Sequence, residues 1–575
     1  MAAKVHTRCA GRTRPAAQLR GRLMTAEAYF IQDAPRPRHG IREDWLLRSY
    51  LRFRLPPSVR AAVAPGLDAL GSQAAGPLWE FQCRDRLNVP ALTPYDPWGN
   101  RIDGIELTPL WREAQALAVK LGLTALPVER AHGSWSRVHQ FLLVHLFHPV
   151  TDVYSCPLAM TDGAVQNLLA SGNRALIDHA VPRLTSRDPV RFWTSGQWMT
   201  ESTGGSDVGL SRTRAECIDG TWRLYGKKWF TSAATSDIAL TLARPTGNGP
   251  GGRGLALFYL ETHDAAGRLN GIRIERLKDK LGTRKVPTAE LTLEGTVARL
   301  VGADTGGTQA IAPMLRITRT WNSVCAASFL RFGLGLAEDF AARRVAFGAA
   351  LADQPLHRET LDDVDAESAA AFLLAFELVR LLGRDEGHEL SKNEAALLPL
   401  LTPMVKATTG KQVAAGVCEI IEAFGGAGYI EDTGISVLLR DGQVLPIWEG
   451  TTNVLSLDLL RTRELPDGIA ALRERCLGID VEPARSAPGA ADIVGMAIAA
   501  SVAGIDAAIE WLSAVNDPAE RQRGARRFLL TLGRSLALAL LAEHTAALAG
   551  SDDLPRALAI CRRFRQLGVN CLAAA

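Results

Sequence analysis

The spacing of apolar residues predicts that the chain begins with a helical region. Between about residues 42 and 194, apolar side chains recur at intervals of three and four, as in the segments 110–119 and 135–146. Loops rich in proline and glycine separate these stretches. The pattern therefore predicts several helices connected by short loops.

Near Gly220 apolar residues begin to recur at every second position, which is typical of strands. Apolar residues alternate with polar ones over 222–226, and the segments 255–260 and 289–294 have the composition of further strands. The glycine-rich run 249–254 does not end in the G-K-[ST] of a phosphate loop, so a connection between two strands is the favoured interpretation. A β domain over about 199–305 follows.

Helical periodicity returns after Gly306 and continues to the end of the chain, without a repeat of fixed length. The last part, from residue 466, is rich in alanine, leucine and arginine. The predicted order is a variable N-terminal lead (1–40), a helical domain (41–198), a β domain (199–305), a helical bundle (306–465) and a C-terminal helical extension (466–575).

Composition and charge indicate an ordinary globular protein of several domains. The 575 residues are 47% hydrophobic and 22% charged, with a net charge of +4, which by itself implies no nucleic-acid partner. The nine cysteines stand singly, which predicts reduced thiols and no metal site. The run 535–541, interpreted as the longest apolar stretch, is far shorter than a bilayer span, so no membrane insertion is predicted.

The first 23 residues contain six basic residues and no acidic one, which is compatible with a transit peptide or with an upstream start codon before Met24. Elsewhere arginine far outnumbers lysine, a bias associated with GC-rich bacterial coding sequence. A bacterial cytoplasm is therefore predicted, with mitochondrial targeting left open.

One carboxylate stands out as candidate chemistry. Glu449 lies between Trp448 and Gly450 in the segment 447–453, where an indole can exclude water and make the carboxylate a stronger base. The alternative is a carboxylate that stabilises the N-terminus of a helix through the helix dipole. The segment alone does not decide between them.

Two upstream motifs offer groups for a planar ligand. In the segment 199–208, Gly204 and Gly205 permit close approach of the backbone, and hydroxyls flank them. Trp229 begins a Trp-Phe-Thr-Ser run on a predicted strand, where side chains alternate between faces. The alternatives are a strand-connecting turn and a core tryptophan.

Together, in this order along the chain, the three motifs resemble the acyl-CoA dehydrogenase flavoprotein family over about residues 40–465. The resemblance implies a mainly α fold with a central β domain: a helical domain, a β-barrel domain and a four-helix bundle, here with a C-terminal helical extension. It implies FAD as cofactor. The residues at matching positions are Met199, Thr200, Gly205, Ser206, Trp229, Phe230, Thr231, Ser232, Arg344, Phe347, Gly425, Gly426, Trp448, Thr451 and Asn453.

Part of this set is implied to serve a neighbouring subunit. Arg344 and Phe347 resemble the R-x-x-F-G element that grips the FAD pyrophosphate across a subunit interface, and Gly425 and Gly426 resemble a segment that reaches the same interface. A homodimer or homotetramer with shared FAD sites is therefore expected. Arg319 is similar to an arginine that the family places near its pocket.

The resemblance implies α,β-dehydrogenation of an acyl-CoA thioester. Glu449 takes the α-proton while a hydride leaves the β-carbon for the flavin, and the backbone N–H of the base is one donor to the thioester oxygen. The electron acceptor, the chain length and the branching of the acyl group are left open.

Four features resemble the AidB-like subgroup. They are Trp448, the Gly204-Gly205 pair, the long N-terminal lead through 95–103 and the C-terminal extension. That subgroup implies an alternative function: binding duplex DNA in the response to alkylation damage, or sequestering acyl-CoA with little turnover. Cations spread over a surface can contact the phosphates of DNA. The simpler explanation is that these arginines lie on solvated helix faces, where nearby acidic residues dilute the positive charge. The arginines concerned are Arg521, Arg523, Arg526, Arg527, Arg562, Arg563 and Arg565.

Overall fold

The computed structural model describes residues 32–572, and all the elements below lie within the compact unit Pro35–Ala575. Most of the predicted lead (1–40), with its basic run, falls outside the described residues. The prediction about targeting therefore stays a prediction.

The first domain is helical, as the spacing predicts, but it also contains a β-hairpin that the sequence analysis missed. The hairpin turns at a Pro-Trp-Gly segment and is anchored on the β domain, since Arg101 donates to the carbonyl of Ile274 (2.7 Å) and Asp103 accepts from its N–H (3.0 Å). The elements are α1 Trp45–Arg54, α2 Pro57–Ala74, α3 Pro77–Asp85, β1 Ala91–Tyr95, β2 Arg101–Glu106, α4 Pro109–Leu121, α5 Leu126–Glu129, α6 Ser136–Phe147, α7 Ser155–Ser171 and α8 Arg174–Leu184.

The β domain is a closed barrel. Strands β4, β5, β9, β7 and β6 pair in a ring, because β6 pairs with both β4 and β7. Trp198, Leu224 and Phe258 are buried in its core. Its strands are β3 Ser195–Trp198, β4 Arg214–Ile218, β5 Thr221–Thr231, β6 Ile238–Pro245, β7 Ala256–Glu261, β8 Ile272–Leu277 and β9 Ala289–Leu300. The glycine-rich run connects the antiparallel pair β6 and β7, as predicted.

Three helices of 32 residues dominate the bundle, and the extension packs against them. Helix α18 contacts α11, α12 and α15, so bundle and extension share one core. The bundle contains α9 Gly307–Ala310, α10 Ala312–Arg343, β10 Val345–Ala346, β11 Ala349–Ala350, α11 Pro355–Glu386, α12 Lys392–Ala423, α13 Gly426–Tyr429, α14 Ser436–Gly442 and α15 Thr452–Leu460. The extension contains α16 Leu465–Leu477, α17 Ala490–Ala514, α18 Pro518–Ala547 and α19 Leu554–Leu567.

Among the described residues one helix, α17, is long and apolar enough to cross a membrane by length and composition alone. The choice of 535–541 as the longest apolar run was wrong, because α17 has no charged residue between Asp492 and Asp506. It packs against α16, α18 and α19. Core helices of globular proteins have the same composition, so the absence of membrane insertion stays a prediction.

Candidate active site

The turn between α14 and α15, residues 447–451, presents Glu449 and is called the Glu449 turn below. Two successive residues have left-handed backbone, with φ of 58° at Glu449 and 104° at Gly450. Glycine adopts this conformation without strain, whereas for glutamate it costs roughly 1–3 kcal/mol and persists only where the surroundings enforce it. The turn ends at Thr451, whose hydroxyl caps α15 by accepting from the N–H of Val454 (3.4 Å).

The carboxylate of Glu449 is held by groups from two other elements. The hydroxyl of Thr318, on α10, donates to Oε2 at 2.7 Å, and the amide of Gln197, on β3, lies 3.4 Å from the same oxygen. No described residue donates a hydrogen bond to Oε1. Neither Thr318 nor Gln197 belongs to a motif that the sequence analysis singled out, so both were missed.

Two cations fix the backbone of the turn. Arg319, on α10, donates to the carbonyl of Glu449 (3.1 Å) and pairs with Asp458 (3.2 Å). Lys406, on α12, donates to the carbonyl of Gly450 (2.6 Å). Burial lowers the pKa of Lys406 to about 7, against the attraction of Glu449. Arg319 was expected near the site, whereas Lys406 was not singled out.

The N–H groups of Glu449 and Gly450 have no acceptor among the described residues. Backbone donors that point at a developing negative charge stabilise it without reorganisation. The turn therefore combines a carboxylate oxygen and backbone donors that are available to a ligand.

The loop of the 199–208 motif, called the glycine loop below, is held in place by the buried carboxylate of Glu201. Glu201 accepts from the N–H of Arg212 (2.6 Å), from the hydroxyl of Thr213 (2.5 Å) and from the ammonium of Lys228 (2.9 Å). Burial would raise the pKa of Glu201, but Lys228 and these donors outweigh it and lower that pKa. The N–H of Trp229 donates to the carbonyl of Thr200 (3.0 Å), so the loop and the Trp229 strand form one unit.

Family models match most of the chain. They are the acyl-CoA dehydrogenase C-terminal domain (residues 305–463), the acyl-CoA dehydrogenase middle domain (196–296) and the adaptive response protein AidB N-terminal domain (42–188). Acyl-CoA dehydrogenase family member 11 of Caenorhabditis elegans is 44% identical over 442 residues, which are 75% of this chain and 72% of that one. The chain belongs to the acyl-CoA dehydrogenase family.

Two further comparisons agree. The putative acyl-CoA dehydrogenase AidB of Escherichia coli is 32% identical over 404 residues, which are 67% of this chain and 71% of that one. The crystal structure of C. elegans ACDH-11 in complex with C11-CoA has a TM-score of 0.88 at 37% identity and covers 95% of this chain and 93% of that one. The predicted family, its AidB-like branch and the fold class are confirmed.

The glycine loop fits the flavin that this acyl-CoA dehydrogenase family uses. A Cβ built on Gly205 would lie 2.5 Å from the hydroxyl of Thr200, so only glycine leaves that space open. The hydroxyl of Thr203 is buried and has no hydrogen-bond partner in the described part of the chain, Met199 is buried, and Ser206 is exposed. Unpaired hydroxyls beside a glycine cradle suit the polar edge of a planar heteroaromatic ring.

The Trp229 strand fits the family's flavin only in part. Trp229 is half-buried, and the ammonium of Lys278 lies 3.5 Å from the centroid of its ring, so one indole face is covered. The hydroxyl of Thr231 is buried and donates to the carbonyl of Ala289 (2.6 Å), and that of Ser232 lies 3.4 Å from Thr288. Phe230 is exposed. The Thr231 hydroxyl thus has a structural partner already.

The residues expected at a subunit interface sit on exposed turns. Phe347, at the tip of the β10–β11 hairpin, is 100% exposed, and Tyr429, which ends α13, is 86% exposed. Gly425 precedes α13 as its N-cap, with a φ of 58°, and Gly426 is the first residue of that helix. Both aromatic side chains are therefore accessible to another chain.

A cavity of about 240 Å³ lies apart from the Glu449 turn, whose residues do not line it. Trp79, Phe329 and Leu438 form apolar walls, and His148 and Asp441 are among its polar groups. Burial raises the pKa of Asp441 to about 7.

The seven arginines predicted to contact DNA have different environments. Arg521 donates to the carbonyl of Val515 (2.5 Å) and so caps α17, while Arg563 pairs with Glu359 and Asp363 on α11. These two stabilise packing. Arg565 is half-buried, and the exposed ones are Arg523, Arg526, Arg527 and Arg562.

Proposed function

We propose that the protein catalyses FAD-dependent α,β-dehydrogenation of an acyl-CoA thioester, with Glu449 as the base that removes the α-proton. The observation that carries this proposal is the state of the Glu449 carboxylate: Thr318 fixes Oε2 at 2.7 Å, and no described residue bonds to Oε1. A base needs one oxygen held and the other available to the proton that it takes. Asn453, the second residue of α15, is exposed and stands at a position matching a family contact to FAD.

The backbone supports the same reaction. When the α-proton leaves, negative charge develops on the thioester oxygen, and a nearby N–H donor lowers the energy of that charge. The N–H of Glu449 has no acceptor among residues 32–572 and belongs to the same residue as the carboxylate, so one turn supplies the base and a donor together. Bound FAD supplies the hydride acceptor. Thr200, Gly205, Ser206 and Trp229 are the residues of this subunit proposed to hold it.

The substrate class rests on the family and on the ACDH-11 relative, whose structure contains C11-CoA. The experiment uses purified protein, which is expected to be yellow and to release FAD on denaturation. Anaerobic mixing with straight-chain acyl-CoAs, including an eleven-carbon one, is expected to bleach the flavin. A protein that binds FAD but is bleached by no acyl-CoA would contradict the proposed dehydrogenation.

The subunit interface gives a further prediction. Phe347→Ser is expected to weaken both self-association and FAD retention, because an exposed aromatic on the hairpin is proposed to contact the partner's cofactor site. Sedimentation equilibrium measures the first effect and bound FAD per chain the second. Val190→Ser is the matched control, since Val190 is equally exposed at 93% but lies far along the chain from the proposed interface. Equal loss in both variants would contradict the shared site.

A second candidate function, binding of duplex DNA, is favoured by the exposed arginines on α18. Arg523 and Arg527 lie one turn apart and Arg526 lies beside them. Truncating the extension would open the core that it shares with α11 and α12, so the test keeps the whole chain. The affinity for duplex DNA is expected to fall steeply with salt concentration.

In the triple variant Arg523→Gln/Arg526→Gln/Arg527→Gln, the slope of log affinity against log salt is expected to fall by up to about 3. Fluorescence anisotropy of a labelled duplex between low and physiological salt measures it. Arg112→Gln, an exposed arginine on α4, is the control. Wild-type affinity that does not change with salt would contradict phosphate binding by this surface.

A further inference from the structure

Lys406 is a buried lysine in the middle of α12 whose ammonium reaches the Glu449 turn. The residue is 1% exposed, and its neighbours in sequence, Val405 and Ala407, are completely buried. Nζ donates to the carbonyl of Gly450 at 2.6 Å. One end of this side chain is therefore fixed in the core of the bundle and the other holds the residue that follows Glu449.

The other buried lysines of the described chain have a different environment. Lys228 has the carboxylate of Glu201 at 2.9 Å, and Lys285 has that of Asp85 at 2.5 Å. No described carboxylate lies within 4.0 Å of the ammonium of Lys406. Burying an ammonium without a paired carboxylate is unfavourable, and an apolar side chain of the same length would fill this space without that cost. Packing therefore does not explain a lysine here.

The hydrogen bond to Gly450 does offer an explanation. The left-handed conformation of Glu449 has to be enforced by its surroundings, and two carbonyls of the turn are held. Arg319 holds that of Glu449 from α10, while Lys406 holds that of Gly450 from α12. These two contacts fix successive peptide units from two different helices, and a rotation of either peptide would break one of them.

The direction of the Glu449 side chain depends on those two peptide units. In the observed backbone conformation the carboxylate accepts from the hydroxyl of Thr318, on α10. Without the bond to the Gly450 carbonyl, the turn loses one of its two anchors and can relax from its left-handed conformation, which would redirect the Cα–Cβ bond of Glu449 and move Oε1. A displacement of about 1 Å at a reacting group can lower a rate roughly 100-fold.

We infer that Lys406 is a positioning residue: through the Gly450 carbonyl it holds the Glu449 turn in the backbone conformation that aims the carboxylate. The inference rests on the proposed function in that Glu449 is the base. Lys406 itself contacts neither the substrate nor the cofactor in this assignment.

The test replaces Lys406 with methionine, which keeps the length and apolar volume and removes the donor. In Lys406→Met the flavin reduction rate with an eleven-carbon acyl-CoA is expected to fall by about 10-fold or more. The dissociation constant of a 3-thia-acyl-CoA, which has no β-hydrogen to lose, is expected to change by less than about 3-fold. Bound FAD per chain is expected to stay as in the wild type. A rate loss that follows lost FAD or lost analogue affinity would overturn the positioning role.

A second measurement does not depend on turnover. Hydrogen exchange followed by mass spectrometry over residues 444–455 is expected to be about 10-fold faster in Lys406→Met, because one anchor of the turn is gone. Lys411→Met, five residues along the same helix, is the matched control and is expected to leave exchange and rate unchanged. Unchanged exchange over 444–455 in Lys406→Met would overturn the inference.

The two proposals fail in distinguishable ways. If the wild type is not bleached by any acyl-CoA, the proposed dehydrogenation fails, and hydrogen exchange alone decides whether Lys406 holds the turn. If the wild type is bleached and Lys406→Met reduces its flavin at the same rate, the positioning role fails. Should Lys406→Met not fold, Lys406→Arg retains a cationic donor and is expected to keep within about 3-fold of the wild-type rate, whereas Lys406→Gln is expected to lose rate. Equal rates for these two would overturn the inference.

Discussion

Replacing Glu449 with glutamine is expected to leave FAD bound and to lower flavin reduction by an acyl-CoA by about 100- to 10,000-fold, the contribution typical of a general base. Glutamine keeps the size of the side chain and a carbonyl oxygen that can still accept from Thr318, but it cannot take a proton. The turn conformation should therefore survive. Anaerobic stopped-flow spectroscopy of the flavin measures the rate.

Glu419→Gln is the matched control, because it makes the same chemical change at an exposed glutamate of α12 that lies outside the turn. Its rate should equal that of the wild type. If the flavin of Glu449→Gln were reduced at the wild-type rate, another group would have to be the base. The rate of flavin reduction in Thr318→Val should lie between those of Glu449→Gln and Glu419→Gln, since this change removes only the donor that orients the carboxylate.

The second large effect is expected at the glycine loop. Glu201→Gln leaves the ammonium of Lys228, which is completely buried, without its carboxylate. Breaking one partner of a buried ion pair typically costs about 3–5 kcal/mol of unfolding free energy. Because Glu201 also pins the loop through Arg212 and Thr213, FAD retention should fall as well. Thermal unfolding and FAD fluorescence measure the two effects.

This stability difference should depend on pH. The pKa of Glu201 is lowered in the folded protein, so its stabilisation is present above the unfolded value of about 4.5 and is lost as the pH falls below it. The melting temperatures of wild type and Glu201→Gln should therefore converge in acid. Glu216→Gln, on β4 in the same barrel, is the control, since Glu216 is only half-buried and lies 3.7 Å from the exposed Arg214. An equally large loss in that control would show that the barrel tolerates no change of this kind.

The family resemblance could be recognised from short segments because two of the three motifs contain glycines that the local backbone conformation requires. A Cβ on Gly205 would strike the hydroxyl of Thr200, Gly204 has a φ of 113°, and the glycine after Glu449 permits the second left-handed residue of the turn. The order of helical and strand periods likewise gave the order of domains. The hairpin over 91–106 was missed because its strands are short and largely exposed, so they show little alternation of apolar and polar residues.

The sequence by itself determined which residue is the candidate base, which loop is shaped for a planar ligand, and the mainly α fold around a barrel. No single segment suffices for these predictions, but the three motifs in their order along the chain do, because each motif acts over a few residues and their order can be read directly from the sequence. Only the tertiary structure decided that Thr318, Arg319 and Lys406 hold Glu449, that Arg521 and Arg563 serve packing, and that Thr231 already has a partner. These contacts join residues up to about 200 positions apart, and hydrogen bonds across such separations leave no spacing in the chain.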